Sequence, residues 1–126
     1  MKLLSAEHVI HIHQTVIKAN ELQGQAPDKS IEAVIERVLN RLHYGQIADV
    51  FELAACYAAF IAVAHAFNDA NKRTAFATMD TLLALNDIEL DYGNTAQAGD
   101  KIVQIVLGKI TEQDLATWLR AQSLTS

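Results

Sequence analysis

Three features of the sequence predict an all-α fold. One proline and five glycines in 126 residues leave little turn chemistry for a β-sandwich, while alanine, leucine, isoleucine and glutamine are abundant. Apolar residues recur at helical spacing along most of the chain. One stretch, Ala48 to Phe67, is apolar nearly all round, as a helix buried inside protein must be. With 51% apolar and 20% charged residues the chain has the balance of one soluble domain, residues 1–126, with a core of its own. The expected architecture is a compact bundle of about six helices around a buried central one.

The first helix is expected to begin after Ser5 and fade near Leu22, with Val9, Ile12, Val16 and Ile17 on one face; a short strand is the alternative. Gly24 and Pro27 mark Glu21 to Lys29 as loop. Asp28 or Ser30 then caps a second helix, whose Ile31, Val34, Ile35, Val38, Leu39 and Leu42 keep amphipathic spacing throughout. Tyr44 and Gly45 break it, and Asp49 with Glu52 three residues on has the form of a capping box opening a third helix. Phe51, Leu53, Tyr57, Phe60, Ile61 and Val63 put that helix at the centre, while Asp49, Glu52 and His65 keep its apolar run shorter than a bilayer. No membrane span is expected.

Residues His65 to Asn71 interrupt the pattern before a fourth helix that buries Phe76, Met79, Leu82 and Leu83 and ends at Asn86 and Asp87. Ile88, Leu90 and Tyr92 alternate with Glu89 and Asp91, which predicts a short extended segment over 88–92. Thr95 or Ala96 opens a fifth helix carrying Ile102, Val103, Ile105 and Val106 and stopped by Gly108. Thr111 caps a sixth with Leu115, Trp118 and Leu119.

Charge and cysteine content exclude several functions. Ten Lys and Arg against 15 Asp and Glu, a net charge of -5, argue against direct nucleic-acid binding, which needs surplus cations to displace counterions. The single Cys56 rules out a disulfide framework, and no basic neighbour in the sequence marks it as a reactive thiolate. No secretory pattern opens the chain, because Glu7, His8, His11 and His13 interrupt its first apolar residues, so the cytoplasm is the expected compartment. His8 and His11 can share a helix face but His13 turns away from both, so H-x-x-H-x-H is not read as a metal site. His43 has no partner in the sequence, and Asp87, Glu89 and Asp91 read as a solvated acidic loop.

The run His65-Ala66-Phe67-Asn68-Asp69-Ala70-Asn71-Lys72-Arg73 is different, because it gathers a base, a carboxylate, amides and two cations between two helices. The N–H groups opening the next helix lack intrahelical partners and favour an anion. Lys72 and Arg73 oppose the dipole there, a penalty that a bound phosphate removes. Arg73 can fork two donors onto phosphate, Lys72 adds a compact charge, and Asn71 can orient another oxygen or cap the helix. Asp69 offers the one hard ligand that Mg²⁺ commonly takes from protein, and His65 is the candidate general base. Phe67 is expected to peg the loop to the core. The plain alternative has His65 capping a helix, Asp69 pairing with Arg73 and Asn71 as N-cap. Neither G-x-x-x-x-G-K-[ST] nor G-x-G-x-x-G occurs, so a nucleotide would have to bind at this loop.

H-A-F-N-D-A-N-K-R resembles the signature of the Fic/Doc superfamily, H-x-F-x-[DE]-x-N-x-R, with the lysine of its Doc (death on curing) branch. The stretch A-P-D-K-S-I-E-A-V-I-E-R and the T-A-F-A helix start resemble Doc toxins as well. The resemblance implies a Fic/Doc fold using ATP and Mg²⁺, with His65, Asp69, Lys72 and Arg73 catalytic and Asp69 as metal ligand. It also implies nucleotide binding through Asn68, Ala70, Asn71, Lys72 and Arg73. Adenylylating members usually carry glycine where Ala70 stands and a second arginine where Phe76 stands. The Doc-like departures imply a toxin kinase that moves the γ-phosphoryl of ATP to a threonine of elongation factor Tu, with AMP transfer as the alternative. No serine or threonine is followed by glutamate four residues on, so the family's internal inhibitory motif is absent, and a Phd-like antitoxin in the bacterial cytoplasm is the expected restraint.

Overall fold

The computed structural model describes residues 1–92 and 95–124. It contains six helices, α1 (Ala6–Val16), α2 (Ile31–His43), α3 (Val50–Ala64), α4 (Asn71–Leu85), α5 (Thr95–Val106) and α6 (Glu112–Gln122). The caps follow local chemistry. Ser30 accepts from the Ala33 N–H at the start of α2 and Asp49 from the Glu52 N–H at the start of α3. Ser5 with His8 and Thr111 with Asp114 form reciprocal capping boxes on α1 and α6. Side-chain caps of this kind stabilise a helix by about 1 kcal/mol each.

α3 is the axis of the bundle, buried from Leu53 to Ala59 and again at Ile61 and Ala62, with α2, α4, α5 and α6 around it. Five of its buried residues are alanines, which leaves the helix thin and lets its neighbours approach closely, α4 over the broadest contact. Its 15 residues span about 22 Å, well short of a bilayer core. No helix among the described residues is long and apolar enough to cross a membrane. Val63, expected inside, is exposed, and Phe76 of α4 is only half-buried, because each borders an open concavity, Val63 beside Arg37, Phe60 and Ile105 and Phe76 beside Lys72 and Gly99. The buried Tyr57 hydroxyl donates to the Leu4 carbonyl at 2.6 Å and accepts from the Leu4 N–H at 3.1 Å, tying the N-terminal segment to α3.

The structure corrects the expected end of α1. The helix stops at Val16, six residues before Leu22, and Ile17 is already extended. Residues 17–30 leave the helix because they strap the α3–α4 loop: the Ala26 N–H donates to the Ala66 carbonyl at 2.8 Å and the Asn68 N–H to the Gly24 carbonyl at 3.0 Å. The extended segment near 88–92 finds its partner beyond α6, in an antiparallel bridge between Leu90 and Ser123. The sequence showed Cys56 without a basic neighbour, yet Arg41 of α2 reaches its Sγ at 3.8 Å. Burial still dominates and pushes the thiol up to about 12, while Arg41 is held by Glu112 at 2.7 Å.

Candidate active site

Two left-handed residues bracket the loop between α3 and α4. His65 (φ 51°) closes α3, and Ala70 (φ 63°) opens α4 at the N-cap position. Each such conformation costs a non-glycine residue about 1–2 kcal/mol, so surrounding contacts must hold the loop in shape. Those contacts come from three directions. Asn71 closes the loop on itself: its Oδ1 accepts from the Phe67 N–H at 3.1 Å and its Nδ2 donates to the Phe67 carbonyl at 2.9 Å. Asn68 ties it to the strap, its Nδ2 donating to the carbonyls of Gln23 and Gln25 at 2.8 and 3.2 Å.

The third contact comes from α1. His13 is buried, stacks on Phe67 with centroids 3.9 Å apart and planes within 5°, and donates from Nε2 to the Asp69 carbonyl at 2.9 Å. A carbonyl can only accept, so Nε2 carries a proton. Phe67 is 2% exposed and does peg the loop, with His13 as its counterpart. Sequence reasoning passed over His13 as one of three histidines on α1. Its signal was position: it stands four residues after the buried Val9, on the face of α1 that turns inward.

The loop wraps a pocket of about 330 Å³ lined by His65 and by Asn68, Asp69, Ala70, Asn71, Lys72 and Arg73. His65 is exposed at its rim. No side chain caps the first-turn N–H groups of α4, which is the condition for binding an anion there. Asp69 accepts weakly, from the Ala70 N–H at 3.2 Å and the Leu22 N–H at 3.4 Å, which leaves lone pairs on both oxygens for a cation. Lys72 is exposed and has no ion-pair partner among the described residues.

Two expected roles change. Asn71 is not the N-cap; Ala70 holds that position, and the Asn71 side chain is spent on Phe67, leaving its backbone N–H as the group able to meet a phosphate. Arg73 pairs with neither Asp69 nor the pocket's centre. Its Nη1 donates to the Val16 carbonyl at 2.8 Å and its Nη2 is hydrogen-bonded to Glu21. Arg73 holds the Glu21 carboxyl below its ordinary range. The sign follows from that depression: the contact is complete at neutral pH and is lost as pH falls through the lowered value. Glu21→Gln removes the competing carboxylate, and inorganic pyrophosphate is expected to bind roughly two- to fivefold more tightly at low ionic strength. Calorimetry checks this, and unchanged affinity would show that Arg73 takes no part in anion binding.

Residues 3–83 match the model of the Fic/DOC family, a span that runs from the N-terminal segment through most of α4 and includes every residue lining the pocket. Protein kinase doc from Escherichia phage P1 is similar to the chain, with 34% identity over 121 residues that cover 95% of this chain and 94% of that protein.

Proposed function

The chain belongs to the Fic/DOC family, and from that premise we propose that it is a toxin kinase transferring the γ-phosphoryl of ATP to a protein hydroxyl. One observation carries the reading: an exposed imidazole, His65, stands at the rim of a pocket built on the uncapped start of α4. The backbone N–H groups of Asn71 and its neighbours, with the Lys72 ammonium, bind the terminal phosphates and stabilise charge that develops on them. His65 takes the proton of the incoming hydroxyl while its oxygen bonds to the γ-phosphorus. The bond from that phosphorus to the β–γ bridging oxygen breaks, and ADP departs with the electron pair. Asp69, a single carboxylate with unfilled lone pairs at the pocket, fits the demand of Mg²⁺, which would neutralise phosphate charge when bound there.

The acceptor in this reading is a threonine of elongation factor Tu, and its modification arrests translation in the bacterial cytoplasm. A Phd-like antitoxin supplies the restraint, since the chain lacks the internal inhibitory motif. Phe76 favours phosphotransfer over AMP transfer, because it places an aromatic ring where a second arginine would clamp distal phosphates. ATP labelled at either the α or the γ position, incubated with the protein and elongation factor Tu, separates the reactions. Label is expected from the γ position only; transfer from the α position alone would replace the kinase with an adenylyltransferase.

A further inference from the structure

The concavity beside the exposed Val63 has a volume of about 400 Å³ and is walled by Phe60 and Val63 of α3 and Ile105 of α5, with Arg37 of α2 beside them. It does not end there. Arg37, Val63 and Ala64 also line a more polar concavity of about 380 Å³ that reaches Lys29, Ser30 and Ala66, so the two form one continuous trough. Val63 stands where they join and is 53% exposed, an apolar side chain that a partner would take out of water.

The trough begins at the reacting imidazole. Ala64 and Ala66, the two chain neighbours of His65, both border it, whereas His65 itself and residues 68–73 line the phosphate pocket, and the two spaces share no lining residue. Phosphoryl transfer holds the attacking and leaving oxygens roughly in line through phosphorus, so the acceptor hydroxyl enters from outside the space that the phosphates fill. The protein carrying that hydroxyl therefore rests on surface next to His65 that the nucleotide leaves free.

Charge narrows the choice of occupant. Lys29 and Arg37 have no ion-pair partner among the described residues and outnumber the trough's one carboxylate outside an ion pair, Asp28, because Glu112 is held by Arg41. On a chain of net charge -5, this local surplus of cations favours an acidic segment. Resting on the kinase reading above, we propose that the trough is the docking surface for the acceptor protein and takes a segment bearing an apolar side chain close to an acidic one. The apolar side chain lies against Phe60, Val63 and Ile105, and the acidic one meets Arg37 or Lys29. Phe60 stands five residues before His65, about 7.5 Å along the helix axis, a distance that extended chain covers in roughly two or three residues. The acceptor hydroxyl consequently stands a few residues from its apolar anchor, and the trough rather than the phosphate pocket selects the protein.

The test follows transfer from γ-labelled ATP to elongation factor Tu as the concentration of each is varied. Val63→Asp puts a charge into the apolar wall, and Arg37→Glu reverses one. Both positions are exposed, so the fold is expected to survive, and a thermal melt checks it. Each variant is expected to raise the KM for the acceptor roughly tenfold, the scale of an interface hot spot, with kcat and the KM for ATP unchanged. Arg37→Lys keeps the charge and should stay near the wild-type KM. A wild-type acceptor KM in the folded Val63→Asp and Arg37→Glu proteins would overturn the proposal. A wild-type dimer that Val63→Asp dissociates, at unchanged acceptor KM, would give the trough to a second copy of the chain instead. Growth arrest by Val63→Asp that a co-produced Phd-like antitoxin no longer relieves, again at unchanged acceptor KM, would give it to the antitoxin. Wild-type protein that moves no γ label onto elongation factor Tu would remove the kinase reading itself and this inference with it.

Discussion

His65→Asn is expected to lower the rate of γ-phosphoryl transfer by about 10²- to 10⁴-fold, the contribution of a positioned general base. Stability should change by less than about 0.5 kcal/mol, because the ring is exposed and its hydrogen bonds to other described residues are none. Asparagine is the informative replacement, since it tolerates the left-handed backbone at φ 51° and so separates loss of the imidazole from loss of loop shape. His65→Ala should likewise abolish growth arrest, and Asp69→Ala should do so through loss of the metal ligand. Alanine at His8, His11 or His43, all outside the pocket, should leave growth arrest intact. Phosphate transfer to elongation factor Tu, read beside a thermal melt, decides the matter: a folded His65→Asn protein with undiminished transfer removes the base from the mechanism.

The second large effect is at His13, which lies outside the lining of the pocket bounded by His65 and Arg73. His13→Ala is expected to destabilise the fold by about 2–4 kcal/mol, combining a cavity beside Phe67 with an orphaned Asp69 carbonyl. Phosphoryl transfer should fall too, at temperatures where the variant is still folded, because Asp69 and the left-handed Ala70 lose the contact that holds them. His13→Gln keeps an N–H able to donate to the carbonyl and should restore part of the activity without restoring the stack. Urea denaturation and kcat, measured on both variants, separate the two contributions. A destabilised His13→Ala protein with wild-type kcat would make His13 a core residue and nothing more.

Much of this was legible in the sequence because its causes are local. The periodicity of α2, the all-round apolar character of α3, and the caps Ser30, Asp49 and Thr111 each depend on residues within a turn or two. What was hidden depends on residues far apart. Val16 and Ile17 continue the apolar pattern of α1, yet the chain turns away there: the Val16 carbonyl accepts from Arg73, and Gly24 and Ala26 farther along pair with Asn68 and Ala66, some forty residues on. Asn71 looked like a cap, but a carboxamide four residues from Phe67 can satisfy both backbone groups of that residue, and it does. His13 looked idle for the same reason, its partners lying in another helix's loop. The pairing of Glu21 with Arg73 left no local trace at all.

The strap linking Gly24, Gln25 and Ala26 to residues 66–68 has a consequence for biosynthesis. On the ribosome, the strap emerges well before the segment after α3 to which its backbone is fastened. The imidazole of α1 and the carbonyl it supports likewise meet only at that late stage. A nascent chain that ends before α4 consequently lacks both the last residues of the anion cradle and its shape, and the cradle is complete only after translation has passed the start of α4.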